Sequence, residues 1–222
     1  MNDNKQKISK KLQEYLIGKR GGPDPVREYA GFAVDAVKNA IDVDLLMENV
    51  DLSFLDYYLD NLGEVNPSVA RLAAATTGIY FGEIIRMNYP GIWHLEDEDE
   101  PLSWEVRFKS CPLAIRPVCI AVEVMKSREE QNVDASFIVH YSRKDLLKET
   151  LDKATPMSES TYFSFGGRYD VISLAEDFLS GVEQKLFGHL NEKQKKMFNQ
   201  EFGCEDPRKI KCIPIEIIPQ EN

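Results

Sequence analysis

Apolar residues at helical spacing run through the middle of this chain, most clearly over residues 66–89. An Asn-Pro pair supplies the cap and the first-turn proline of this run, and Pro90 ends it. The pattern predicts a helix of about 22 residues, roughly 33 Å long, apolar on nearly every side and therefore covered on nearly every side. Gly78 and Gly82 lie inside it, although a helix-interior glycine costs about 1 kcal/mol relative to alanine. A packing or functional reason should compensate for both.

Other stretches are also predicted to be helical. Asp24 followed by proline resembles a cap, and apolar residues at helical spacing extend that helix to about residue 40. Residues 143–153 have a helical composition, and an Asp170 cap opens another helix with one apolar face. Residues 191–202 form the last predicted helix.

Alternating apolar and polar residues predict a half-buried hairpin. Its strands are residues 92–95 and 104–108, joined by an acidic loop. In the second strand Trp104, Val106 and Phe108 alternate with charged residues, so we expect these three side chains to face the core.

Four segments carry weaker or mixed signals. Residues 52–62 are predicted as a short strand or turn. Residues 118–125 suit a strand by their β-branched residues and a helix by their spacing, and we favour a helix; residues 135–141 carry the same ambiguity. The end of the chain is strand-like, and Pro214 places that strand at an edge or a bulge because proline cannot donate to a sheet ladder.

These elements predict an α+β fold, with a small antiparallel sheet packed on the long glycine-containing helix and additional helices around it. We expect a basic N-terminal helix or arm over residues 1–20 and a single α+β domain over residues 24–222. Within the first segment an apolar stripe favours a docked helix, and an arm that grips an acidic partner or a second copy is the alternative. The stripe consists of Ile8, Leu12, Tyr15 and Leu16.

Composition narrows the classes of function. Hydrophobic residues make up 43% and charged residues 29% of the 222 positions, as in ordinary globular proteins. The formal charge of -10 disfavours nucleic acid and anionic membrane as partners. The longest uncharged apolar stretch, residues 72–82, is too short to span a bilayer, and no secretory signal is apparent, so we expect a cytoplasmic protein.

Glu83 is the strongest candidate for chemistry because the long helix should place it in the interior. Arg86 follows at i+3 on the same side and is its obvious partner. One interpretation is a buried pair that fixes how the helix meets the Trp93 strand; the other is a general acid or base, with Arg86 orienting an anion and Trp93 or His94 lining the pocket. Both glycines fall on a strip of mostly small side chains that would let another backbone approach closely. The strip comprises Arg71, Ala74, Ala75, Gly78, Gly82 and Ile85.

Five consecutive acids between the two predicted strands form an acidic tip, made of Glu96, Asp97, Glu98, Asp99 and Glu100. Their spacing is not that of a calcium loop, so a solvated loop is the first interpretation. A basic protein partner, steered by this charge, is the alternative.

The remaining candidates are weaker. The four cysteines lack the spacing of a zinc site and are interpreted as reduced thiols, and the three histidines fall in no catalytic motif. A simple loop and cap is the first interpretation of residues 164–170, and a weak anion site that exposes backbone N–H groups and an arginine is the alternative. We therefore expect neither a metal nor a cofactor.

The runs GIYFGEIIR at residues 78–86, PGIW at 90–93 and IRP at 115–117 resemble a pattern shared by several uncharacterised bacterial cytosolic α+β proteins. The resemblance covers about 50 of the 222 residues. It implies a helix, turn and Trp-strand unit and a bacterial origin, and it supplies no reaction and no catalytic residues. By analogy with some proteins of this size and charge, an immunity-type role toward a toxin is one version of the function.

Two hypotheses follow. The first is a non-catalytic protein-binding or regulatory module that acts through a surface such as the acidic tip. The second is a small-molecule-binding protein or enzyme that uses Glu83 and Arg86. Exposure of this pair to a cavity distinguishes the two.

Overall fold

The structure of this chain, a computed structural model, describes Tyr15 and residues 21–126, 137–154, 157–187 and 212–215. Its helices within these ranges are numbered here in chain order. They are α1 (Asp24–Ile41), α2 (Asp51–Asp60), α3 (Pro67–Asn88), α4 (Pro117–Lys126), α5 (Tyr141–Asp152), α6 (Glu159–Tyr162) and α7 (Phe165–Phe187), with a 3-10 turn at Pro101–Ser103. No helix in the described ranges is both long and apolar enough to cross a membrane.

The strands form one antiparallel sheet in the order β1-β2-β3-β4-β5. They are β1 (Gly91–His94), β2 (Glu105–Phe108), β3 (Leu113–Ile115), β4 (Phe137–His140) and β5 (Cys212–Ile215). The α+β prediction is therefore confirmed, and so is the hairpin, in which Trp93 lies opposite Val106. β5 lies at the edge of the sheet, where the proline in its sequence can be accommodated.

Helix α3 is the central element of the fold. It has the predicted 22 residues and is buried without interruption from Ala73 to Ile85. Its two glycines mark close approaches: a Cβ at Gly78 would lie 2.6 Å from the Pro117 carbonyl oxygen, and one at Gly82 would lie 2.6 Å from the Trp93 ring. Close packing against the start of α4 and against β1 thus accounts for both glycines.

The inner face of the sheet packs on these helices. Val106, Phe108, Ile115 and Phe137 belong to the main hydrophobic core together with residues of α3, α4 and α7. Trp104 is fully buried in a smaller cluster, edge-on to Tyr29 at a centroid distance of 5.6 Å.

The ambiguous segments separate into one helix and one strand. Residues 118–125 lie in α4, as favoured, and residues 137–140 form β4. The prediction of a short strand or turn at residues 52–62 is wrong, because α2 occupies most of this segment. The physical reason is helical spacing of the buried side chains Leu52, Leu55 and Leu59, which a search for a short strand overlooks.

The helix starts are partly as predicted. Asn66 caps α3, its side chain accepting a hydrogen bond from the Val69 N–H. The cap of α1 is Pro23 and not Asp24, one residue earlier than predicted. The Asp170 cap is wrong, because α7 already begins at Phe165 and continues through that position. The predicted helix at 191–202 and most of the N-terminal segment lie outside the described residues.

Candidate functional site

Glu83 is fully buried on α3 and is surrounded by N–H donors. Its Oε1 accepts from Arg86 Nε at 2.6 Å and from the Trp93 indole N–H, while its Oε2 accepts from Arg86 Nη2 at 2.9 Å and from the Gly22 N–H at 3.3 Å. A carboxylate offers about four acceptor positions, so these four contacts use its capacity. The predicted pair exists, and it extends to a strand and to the turn before α1.

Tyr15 closes the same site from the N-terminal segment. Its side chain is only 2% exposed, and burial followed by the negative charge of Glu83 raises the pKa of its phenol. The Tyr15 hydroxyl lies beside the Glu83 carboxylate but makes no hydrogen bond of standard geometry. The phenol therefore acts here as a packing group that separates Glu83 from solvent.

The glycines nearby leave no room for a ligand. A Cβ at Gly22 would lie 3.0 Å from Glu83 Oε1 and 2.9 Å from the Trp93 ring. The Arg27 guanidinium holds this turn by donating to the Gly22 carbonyl oxygen at 2.7 Å. Backbone and indole thus pack directly on the carboxylate.

This arrangement determines what the Glu83 site can do. A general base needs a free acceptor position and access to substrate, and Glu83 has neither in this structure. The hydrogen bond and charge of Glu83 raise the pKa of Arg86, which keeps its charge, and that side chain retains 19% exposure. The geometry is that of a charged clasp joining α3, β1 and the turn before α1.

A second buried carboxylate, that of Asp51 in α2, is bonded by Tyr80, which lies about one helical turn before Glu83 on α3. Asp51 Oδ2 accepts from the Tyr80 hydroxyl at 2.5 Å and from the Leu46 N–H at 2.8 Å, and Tyr80 in turn accepts from the Met47 N–H at 2.8 Å. Met47 has a positive φ of 57°, so this hydrogen-bonded turn is held in a conformation that an L-residue rarely adopts. Tyr80 and Asp51 anchor the segment between α1 and α2 to α3.

His94 does not join Glu83. It follows Trp93 in β1, and since successive side chains of a strand point to opposite faces, it lies on the outer face of the sheet. There it is paired with Glu105. Of the four residues predicted to share one site, the structure brings together Glu83, Arg86 and Trp93.

The acidic tip is exposed along its whole length, residues 96–100. Its base is fixed, because the Trp104 indole donates to the Asp97 carbonyl oxygen at 2.7 Å and the Asp97 side chain accepts from the Asp99 N–H at 2.9 Å. Among the described residues no ion pair neutralises its carboxylates, and no group of three or more His, Cys, Asp or Glu side chains could hold a metal ion.

The predicted anion loop at residues 164–170 is instead the first turn of α7. Asp56 Oδ1 accepts from the Phe165 N–H at 2.8 Å, and Ser164 Oγ accepts from the Gly167 N–H at 3.0 Å. Arg168 is 1% exposed, pairs with Glu123 and donates to the Tyr162 hydroxyl at 2.5 Å. Its donors and charge serve the interior and not an external anion.

The two described thiols are structural. Cys111 and Cys119 are buried and form no disulfide, and burial raises the pKa of the Cys111 thiol to about 12. A thiol this weakly acidic is almost wholly protonated at neutral pH and is a poor nucleophile.

An open groove of about 370 Å³ runs along α1. Asp24, Arg27, Glu28, Gly31, Phe32 and Asp35 line it. Glu83 is not among these residues, so the groove gives no access to the buried carboxylate.

Comparisons with protein-family models, with curated proteins and with solved structures found no match. The function must therefore be argued from the geometry alone.

Sequence reasoning missed Tyr15 and Gly22 as neighbours of Glu83. The apolar stripe of the first segment indicated that Tyr15 would be buried, but no local pattern indicates what a side chain 68 positions away will contact. It also missed the arginines that meet Glu105, because Arg116 reaches Glu105 through the pairing of β2 and β3, and no strand was predicted at β3.

Proposed function

We propose that this chain is a non-catalytic protein-binding or regulatory module of the bacterial cytoplasm, with an immunity-type role as one version. It would act through the acidic tip on a basic protein partner. The observation that carries this proposal is the state of Glu83, whose four acceptor positions are all used inside the fold. The strongest catalytic candidate thereby serves structure, and within the described ranges the tip has five consecutive carboxylates without an ion pair.

The tip suits such a role because it combines exposure with a fixed base. Five adjacent carboxylates produce a field that speeds the approach of a cationic surface. The Trp104 indole and the 3-10 turn at Pro101–Ser103 hold the loop to the body, which lowers the entropy lost on binding.

The experiment is quantitative affinity purification from the native cell, comparing the natural chain with Glu96→Gln, Glu98→Gln and Glu100→Gln combined. Asp97 stays unchanged because its oxygens accept hydrogen bonds within the loop. We expect a stoichiometric protein partner that the triple variant loses, and whose binding weakens as salt is raised. A matched control, Glu28→Gln with Asp35→Asn on α1, should keep the partner. Equal recovery with the tip variant would contradict the proposal.

The alternative, a small-molecule-binding protein or enzyme that uses the Glu83 and Arg86 pair, requires Glu83 to leave its present contacts. Glu83→Gln tests it, with Glu149→Gln as control because Glu149 belongs to an exposed i,i+4 pair with Lys153. The proposal predicts that Glu83→Gln lowers the free energy of unfolding by about 3 kcal/mol, since it leaves a half-buried arginine without its counter-ion, against about 0.5 kcal/mol for the control. A variant that keeps its stability but loses a ligand-induced thermal shift would favour the alternative.

A further inference from the structure

The outer side of β1 is the edge of the sheet that lies next to the acidic tip. β1 is the first strand in the order of the sheet, and among the described residues it pairs only with β2. The strand ends at His94, and the tip begins at Glu96. An edge strand carries backbone N–H and C=O groups that face away from the sheet and can pair with another extended chain.

The register of the hairpin shows which backbone groups face outward. The Lys109 N–H donates to the Pro90 carbonyl oxygen at 2.8 Å, so these two residues form a hydrogen-bonded pair. Bonded pairs alternate along an antiparallel ladder, and Ile92 and His94 therefore direct their N–H and C=O groups to β2. Within the described ranges no backbone hydrogen bond reaches the outward groups. They belong to Gly91, Trp93 and Leu95.

The two edges of the sheet differ in how they are protected. β5 contains Pro214, and proline is one of the residues with which natural edge strands avoid further pairing. β1 has the sequence GIWH, which contains no proline, lysine or acidic residue, and all four residues are half-buried. The short length of β1 and the tip that follows it are what limit pairing here. Five adjacent carboxylates repel an acidic chain at this edge and attract a basic one.

We propose that the basic partner of the tip presents an extended segment that adds to β1 as a further strand of the sheet. This inference rests on the proposed function, because it names the part of the partner that the tip attracts. Backbone hydrogen bonds to the outward groups supply affinity, and lysine or arginine side chains beside the tip supply selectivity. A second copy of this chain is a poor occupant, since it brings a net charge of -10 and a tip of its own.

The test is titration of the full chain with two decapeptides of equal charge, followed by amide NMR shifts. One peptide alternates valine with lysine and can form a strand; the other alternates proline with lysine, lacks half of its N–H groups and favours polyproline II. We expect the valine peptide to bind about tenfold more tightly, the effect of one or two net hydrogen bonds. It should shift the amides of Gly91, Trp93 and Leu95 together with those of the tip, whereas the proline peptide should shift the tip alone.

Two variants of Leu95 locate the contact. Leu95→Pro removes an outward N–H and no ladder bond, so the valine peptide should lose most of its advantage over the proline peptide. Leu95→Ala shortens the same side chain but keeps the N–H, and it should retain that advantage. Far-ultraviolet circular dichroism confirms that both variants are folded. Glu96→Gln, Glu98→Gln and Glu100→Gln combined should weaken the binding of both peptides.

The results distinguish this inference from the proposed function. Peptides that bind equally, and only at the tip, overturn strand addition and leave the role of the tip intact. Absence of binding by either peptide also overturns strand addition, while affinity purification still decides the role of the tip. A valine peptide that binds β1 equally well in the triple variant contradicts a basic occupant selected by the tip. A dimer in sedimentation that the valine peptide dissociates would show that a second copy occupies the edge.

Discussion

Two carboxylates on neighbouring elements meet arginines and are put to different use. Glu83 is fully buried, takes four hydrogen bonds and closes a site that has no free acceptor. Glu105 is also buried, but it holds two arginines that reach solvent. At the scale of single residues, the two carboxylates therefore join different parts of the fold: Glu83 joins α3 to β1, and Glu105 joins β2 to the residue that follows β3.

Replacing each of two buried tyrosines by phenylalanine gives a matched pair of variants for measuring what the hydroxyl groups contribute to stability. Tyr15→Phe removes a hydroxyl that has no partner, so we expect an unchanged or slightly higher free energy of unfolding. Tyr80→Phe removes hydrogen bonds to Asp51 and Met47 and should cost about 1–3 kcal/mol. Urea denaturation measures both. Equal costs would mean that the Tyr15 hydroxyl does bind Glu83.

The sequence predicted the pair of Glu83 and Arg86 because both lie on one helix, where i and i+3 positions are neighbours. Trp93 was also within reach, since a tight turn returns the chain from α3 to β1. Gly22 was not, because a contact that joins segments 61 positions apart depends on how the helices pack. Local patterns therefore predicted Glu83, Arg86 and Trp93 but not Gly22, which packs on the carboxylate from a distant segment.

At the scale of elements, α3 is defined by close contact on several sides. A helix this buried usually carries large side chains, but the approach of α4 and β1 requires two positions without a Cβ. The wheel of small residues predicted this packing correctly, whereas α2 was missed, despite the helical spacing of Leu52, Leu55 and Leu59, because its ten residues offer no cap signal.

Gly78→Ala and Gly181→Ala test whether packing explains the glycines. A Cβ at Gly78 would lie 2.6 Å from a backbone oxygen, so this variant should lose about 1–3 kcal/mol of stability. Gly181, in α7, has nothing within 4 Å of the added Cβ, and its variant should gain about 0.5–1 kcal/mol from helix propensity. Thermal denaturation measures both. Stabilisation by Gly78→Ala would contradict the packing account.

The join between α2 and α7 should make stability depend on pH. Burial raises the pKa of Asp56 to about 6, although the N–H groups at the start of α7 oppose this shift. The folded state then binds this proton more tightly than the unfolded state, so the contribution of Asp56 to stability is greatest below about pH 4 and is lost as pH rises through 6. Asp56→Asn should remove this loss.

Urea denaturation at several pH values between 4 and 7 measures the Asp56 effect as the difference between the natural chain and the Asn variant. Asp60→Asn is the control, because Asp60 is an exposed neighbour whose negative charge makes the smallest contribution to the shifted pKa of Asp56. That variant should keep most of the pH dependence. A natural chain whose stability rises over this range relative to Asp56→Asn would show that the N–H groups outweigh burial.

At the scale of the whole molecule, excess negative charge is the dominant property, and its placement is uneven. Five of the 37 acidic residues are consecutive in the tip, while the arginines of β2 and β3 lie at its base. Composition alone predicted the sign of the field and the classes of partner that it disfavours. It could not predict that two arginines meet Glu105 beside the tip, because that contact depends on which strands pair.

The tip carboxylates raise the free energy of the folded chain by repelling one another and the rest of the negative charge, and among the described residues no ion pair offsets them. Combining Glu96→Gln, Glu98→Gln and Glu100→Gln should therefore leave stability unchanged or raise it, with the gain largest at low salt. Added salt should raise the melting temperature of the natural chain more than that of the variant, because screening weakens repulsion that the variant lacks. Calorimetry across a salt series measures this difference. A variant with a lower melting temperature than the natural chain at every salt concentration would mean that these carboxylates stabilise the loop. Carboxylates that are bonded within the loop would be less available to a basic partner.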